Sequence, residues 1–187
     1  MDFRPEDGGR GRGIAAAIVG FFAACWFGWA QEDPPGWLVP LLVVGVVLSV
    51  VVAIAGIVLA VRSPSGSSPM ADPRTRTRYF VTVGIEVALI WAGSALLGAT
   101  GHDEYVAAWI AFVVGVHFVP LGRFFAEREL QLSGVLITIV AVVAAVVTVA
   151  TGHTSSTVAG AGSGTLLVLT GALSVLGIRI PEPARAN

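Results

Sequence analysis

The chain has 187 residues, 55% of them hydrophobic and 12% charged, with a mean hydropathy of +0.83; a soluble domain carries about twice that charge. A formal net charge of −1 and a pI of about 6.3 exclude the basic surface of a nucleic-acid binder. The lone cysteine, Cys25, excludes an internal disulfide and any CxxC metal or redox pair.

The apolar residues run in long blocks, the pattern of a polytopic membrane protein. A bilayer core about 30 Å thick requires about 20 apolar residues per spanning helix. Six blocks meet that length, at about 14–30, 37–61, 79–100, 105–122, 130–150 and 158–178. Transmembrane barrel strands are about ten residues long and alternate polar with apolar; these blocks do neither. The expected fold is an all-α integral membrane protein, a single domain over 1–187 built as a bundle of six transmembrane helices.

Block one follows Arg4, Arg10 and Arg12. The small residues before Cys25 resemble a lipoprotein cleavage site, but Phe22 stands where a small aliphatic residue belongs, so the helix is expected to be retained. Between blocks two and three, 62–78 is rich in Ser, Pro and Gly and reads as a flexible cytoplasmic loop. Its Arg74, Arg76 and Arg78 either hold anionic lipid head groups or only set topology. Arg123 and Arg128 lie between blocks four and five, and Arg179 and Arg185 follow block six. The chain has no lysine, and the three remaining connections contain no arginine. Positive residues stay on the cytoplasmic side, so both termini are expected there, N-in and C-in. Trp26, Trp29, Trp37, Tyr105 and Trp109 fall near the outer interface, and Tyr79, Phe80, Phe124 and Phe125 near the inner one. Trp91, inside block three, is expected to pack against a neighbouring helix.

Residues that carry chemistry are few. "GAGSG" at 160–164 follows no strand and has no Lys-Ser/Thr partner, so it reads as close helix packing rather than a phosphate loop. Gly160, Gly164, Gly171 and Gly177 serve packing within one bundle or between two, which leaves a homo-oligomer open. No catalytic triad, HExxH motif or metal-spaced His pair is present, so neither an enzyme nor a metal or other cofactor is expected. The outer connections gather Glu32, Asp33, His102, Asp103, Glu104 and His153, a cation-attracting vestibule, a weak metal site or merely solvated loops.

Two ionisable residues lie deep within spans, Glu86 and His117. A charge at mid-helix costs about 2.5–3.5 kcal/mol on insertion scales, so such residues face the bundle interior. Glu86 lies sixteen residues before His102, in the short connection between blocks three and four, and His117 fifteen after it. Both therefore sit at one depth of one helical hairpin. If they face each other, the pair is either the kit of a proton relay or interhelical glue. Pro120 withholds a donor from the Val116 carbonyl and should bend the helix; with Gly115 and Gly122 beside it, the bend offers a small cavity open to the cytoplasm.

The stretch "GVHFVPLGRFF" carries Gly115, His117, Phe118, Pro120, Leu121 and Arg123. It resembles a G-x-H-F-x-P-L motif of an uncharacterised family of small bacterial, often actinobacterial, multi-pass membrane proteins. The resemblance implies a bacterial plasma (inner) membrane location and brings no known activity. The functional expectation is small-solute or proton-linked binding or transport at a Glu86/His117 site, the alternative being a structural or accessory membrane protein.

Overall fold

The computed structural model describes residues 8–64, 72–125 and 127–178. Among these, six α-helices appear and no strand: α1 Gly9–Trp29, α2 Val39–Arg62, α3 Pro73–Ala99, α4 Val106–Phe125, α5 Arg128–Thr151 and α6 Ser156–Leu176. Each is long and apolar enough to cross a membrane. Arg4, Arg179, Arg185 and the 65–71 part of the expected flexible loop lie outside the described residues.

The helices match the six apolar blocks, but the first and third begin earlier than expected, the first at Gly9. The third begins at Pro73, so Arg74, Arg76 and Arg78 stand on helix rather than loop. The cause is local. Asp72 caps the helix, accepting from the Thr75 hydroxyl at 2.7 Å and the Thr75 amide at 2.9 Å. Pro73 follows at a position whose N–H would have no partner anyway. Three cations near a helix N-terminus oppose its dipole, so stabilisation of the helix does not explain their placement.

Short connections alternate the helices up and down. At one end the start of α1 meets the ends of α2 and α6: a Cβ on Gly9 would strike Ser63, and one on Gly177 would strike the Arg12 guanidinium. Gly177 takes a positive φ of 70° where α6 stops. At the same end the rings of Tyr79 and Phe125 lie 6.0 Å apart, joining the start of α3 to the end of α4. Ser133 and Thr170 share a 2.5 Å hydrogen bond between α5 and α6. Every described arginine stands at this end.

The opposite end is tied by Ser155. Its hydroxyl donates to the Glu104 carbonyl at 2.7 Å and accepts from the Ala108 amide at 3.0 Å, capping α4 from a distant part of the chain. Thr157 Oγ1 reaches the Ala30 carbonyl at 3.4 Å.

The interior is small-grained. Ala16, Ala23, Ala111, Ala144 and Ala159 are fully buried, whereas Val61, Trp91 and Val149 are more than 70% exposed. In water such an inside-out surface would aggregate; between lipids, small residues let helices approach closely and gain van der Waals contact. Gly160 abuts Trp26 and Ala30, Gly164 the Phe27 ring, and Gly171 Val19 and Val52. These α6 glycines thus serve packing inside the bundle.

Helices α1, α2, α4, α5 and α6 pack on one another, while α3 lies outside them with α4 as its main neighbour. No α3 residue is buried. This overturns the expectation for Trp91: it is 73% exposed, because among the described residues α3 has α4 as its main neighbour and Trp91 lies on a face turned from it.

Candidate functional site

The α3–α4 contact brings the two deep ionisable residues together. His117 Nε2 lies 3.3 Å from Glu86 Oε2, with the imidazole side chain 5% and the carboxylate side chain 16% exposed. Equal depth follows from the shared connection at 100–105. Facing follows from rotation: α4 turns His117 inward on the stripe of Val113 and Leu121, both buried. Across from it, α3 presents Glu86.

Chemically the pair can share a proton. Either Nε2–H donates to the carboxylate, or the protonated carboxyl donates to Nε2. The other ring nitrogen, Nδ1, is buried and makes no hydrogen bond.

The contact is held from both sides along α3. Toward the arginine-bearing end stands the Tyr79–Phe125 ring pair. Toward the other, Trp109 Nε1 donates to the Leu89 carbonyl at 3.0 Å, its indole seated where a side chain on Gly93 would stand. Neither Trp109 as an anchor nor Gly93 as its seat was anticipated from the sequence. A glycine inside an apolar helix was the signal that could have marked the close approach. Ser94, beside it, keeps a buried hydroxyl with no partner. The Thr82 hydroxyl donates to its own helix, to the Arg78 carbonyl at 2.8 Å.

The motif residues divide among different faces of α4. His117 turns to α3. Gly115 and Phe118 turn to α5: a Cβ on Gly115 would meet the Gly134 carbonyl, and Phe118 packs against the central core. Gly122 abuts Gln131 and the Glu127 carbonyl, and Leu121 is buried. Arg123 is exposed at the helix end. Pro120 sits inside a helix that continues to Phe125, beyond the expected end at 122. The depression beside it, about 460 Å³, is lined by Val116, Val119, Pro120, Val135, Thr138 and Ile139. It therefore opens between α4 and α5, not at the imidazole as expected: its far wall is Val135, Thr138 and Ile139 of α5, and His117 is not part of its lining.

At the end opposite the arginines, Glu32, Asp103 and Glu104 line part of a separate cavity of about 270 Å³. Trp29 Nε1 donates to Glu32 at 3.2 Å, His102 pairs with Glu104 at 3.4 Å and His153 with Asp33 at 3.9 Å. No group of three or more His, Cys, Asp or Glu side chains is arranged to hold a metal among the described residues. Exposed pairs of this kind contribute about 0–1 kcal/mol, so the cluster reads as solvated connections.

In comparisons with family models, curated proteins and solved structures, no match to this chain was found.

Proposed function

We propose that the protein is a six-span membrane protein in which Glu86 and His117 form a proton-binding site coupled to the binding or transport of a small solute. The observation that carries this reading is the 3.3 Å approach of two ionisable side chains inside apolar spans. Intramembrane carboxylate–histidine pairs are the usual equipment of proton relays. The test is proton flux into proteoliposomes under an imposed potential, with and without a panel of candidate solutes. Glu86→Gln and His117→Ala should each abolish coupled flux; flux unchanged in both removes the pair from the mechanism.

A second reading is favoured by the position of α3. A helix with one main neighbour needs polar contacts to hold it, and the pair supplies one. On this reading the protein is structural or accessory, and the variants lose stability without any ligand dependence.

The orientation we propose places both termini and the arginine-bearing end in the cytoplasm of a bacterial plasma membrane, with the resemblance of the His117 motif as support for the source. Arg74, Arg76 and Arg78, all exposed, would meet anionic head groups there. A cysteine at Ser63, in a Cys25→Ala background, should react with an impermeant thiol reagent only after the cytoplasmic face is opened.

A further inference from the structure

Three contacts fasten α3 to α4, and they differ in kind along the seam. Tyr79, Glu86 and Gly93 follow one another at seven-residue intervals, which keeps them on one face of α3. Each meets a residue of α4: Tyr79 the Phe125 ring, Glu86 the His117 imidazole and Gly93 the Trp109 indole. The Trp109 contact is a seat. The indole donates to the Leu89 carbonyl at 3.0 Å and fills the space over Gly93. Close by, the short connection to α4 is tied back to α3, the His102 amide donating to the Leu97 carbonyl at 2.8 Å. At the other end only the edge of one ring meets its neighbour, with centroids 6.0 Å apart. The Glu86–His117 pair stands between the two, about 10 Å from each by helical rise.

The five other helices pack on one another without α3, and no α3 residue is buried. An element with few buried contacts is the one that separates at least cost. Yet it lies against His117, which is only 6% exposed with α3 in place. The helix is also a continuous rod from Pro73 to Ala99, with no proline past its first position. A rod held firmly at one end and lightly at the other moves by tilting. Tyr79 lies about 21 Å from Gly93 along the axis. A tilt of about 15°, within the range transmembrane helices adopt, carries it about 5 Å. Arg74, Arg76 and Arg78, exposed at the moving end, stay at the membrane surface through such a tilt.

We propose that α3 is the gate of the Glu86–His117 site, pivoting on the Trp109–Gly93 seat and swinging its Tyr79 end from Phe125. The opening admits a small polar solute to His117 from the arginine-bearing end. The Glu86–His117 contact is the latch, released when the solute takes the hydrogen-bonding place of one partner. The gate rests on the solute-binding reading above and adds to it the route and the moving part.

The test reads distances between spin labels by double electron–electron resonance, with the full chain in bilayers and a Cys25→Ala background. One label pair joins Val81 of α3 to Val135 of α5, toward the Tyr79 end. A second joins Leu96 of α3 to Val149 of α5, near the seat. A third joins Phe21 of α1 to Val146 of α5 and reports whether the five-helix bundle is intact; all six positions are exposed. Glu86→Leu and His117→Leu should each lengthen or broaden the first distance by about 5 Å and leave the other two unchanged. Tyr79→Ala, which keeps the latch, should broaden the first distance alone. Both α3 distances shifting together, or neither shifting in any variant with an intact bundle, overturns the gate. In proteoliposomes, Tyr79→Cys with Phe125→Cys, bridged by a short bis-methanethiosulfonate, should lose coupled proton flux and regain it on reduction. Flux that persists through the bridge overturns the gate and leaves the role of the pair standing. Flux absent even before bridging counts against the solute-binding reading, while the label distances still decide whether α3 swings.

Discussion

His117 Nε2 and Glu86 Oε2 stand 3.3 Å apart on two helices whose other firm polar link, Trp109 to the Leu89 carbonyl, lies about one turn further along α3. The outlying helix is thus fastened by two adjacent polar contacts, one protonatable and one not. That separation makes their contributions measurable apart.

Removing one partner of the pair leaves the other inside an apolar span without compensation, while removing both does not. Glu86→Leu and His117→Leu should each destabilise the protein, and the double variant should recover much of the loss. The coupling expected is about 0.6–1.7 kcal/mol, the range for polar contacts between membrane helices. Equilibrium unfolding in mixed micelles gives the cycle. Coupled proton flux should stay absent in the double variant even where stability returns; flux there would count against the proposed site.

Trp109→Phe keeps the ring beside Gly93 and deletes the indole N–H. The expected cost is again about 0.6–1.7 kcal/mol. Because the Leu89 carbonyl belongs to α3, the loss should appear there first, as faster amide exchange between residues 89 and 97, with α5 and α6 unchanged. Exchange that rises equally in all six helices would contradict a local anchoring role.

Gly134→Leu tests the close approach of α4 and α5. A Cβ there would lie 2.6 Å from the Gly115 carbonyl oxygen, and neither backbone can yield without moving its helix. Overpacking of this kind costs about 1–3 kcal/mol. Thermal unfolding in detergent should shift downward, and more than for Gly28→Leu, a position with open space around it.

Asp72 gives a pH dependence outside the spans. The Thr75 hydroxyl and then the Thr75 amide hold its carboxyl below the ordinary value of 3.8. Folding therefore favours the carboxylate. Its contribution to the start of α3 is complete above pH 3.8 and is lost as pH falls through the lower, folded value. The Thr75 amide resonance should titrate with an inflection below 3.8 in the wild type and show none in Asp72→Asn. An inflection at or above 3.8 would mean the cap does not form.

Much of the architecture is legible without coordinates, for identifiable reasons. Lipid offers no partner to the backbone, so apolar blocks of spanning length become helices. A short connection then forces Glu86 and His117 to one depth. The start of α3 lies earlier than hydropathy marks it, because hydropathy falls off at the arginines while Asp72-Pro73 begins the helix. Which way each side chain points was not legible. A helix apolar on every side has no stripe to mark its buried face, so the rotation that turns Glu86 to His117, leaves Trp91 in lipid and aims Pro120 at α5 is decided only when the helices pack. Span count and depth thus follow from the sequence through the thickness of the bilayer. The facing of the pair, the outlying place of α3 and the groove between α4 and α5 come from tertiary structure, because they depend on how closely Gly93, Gly115 and Gly134 let the backbones approach.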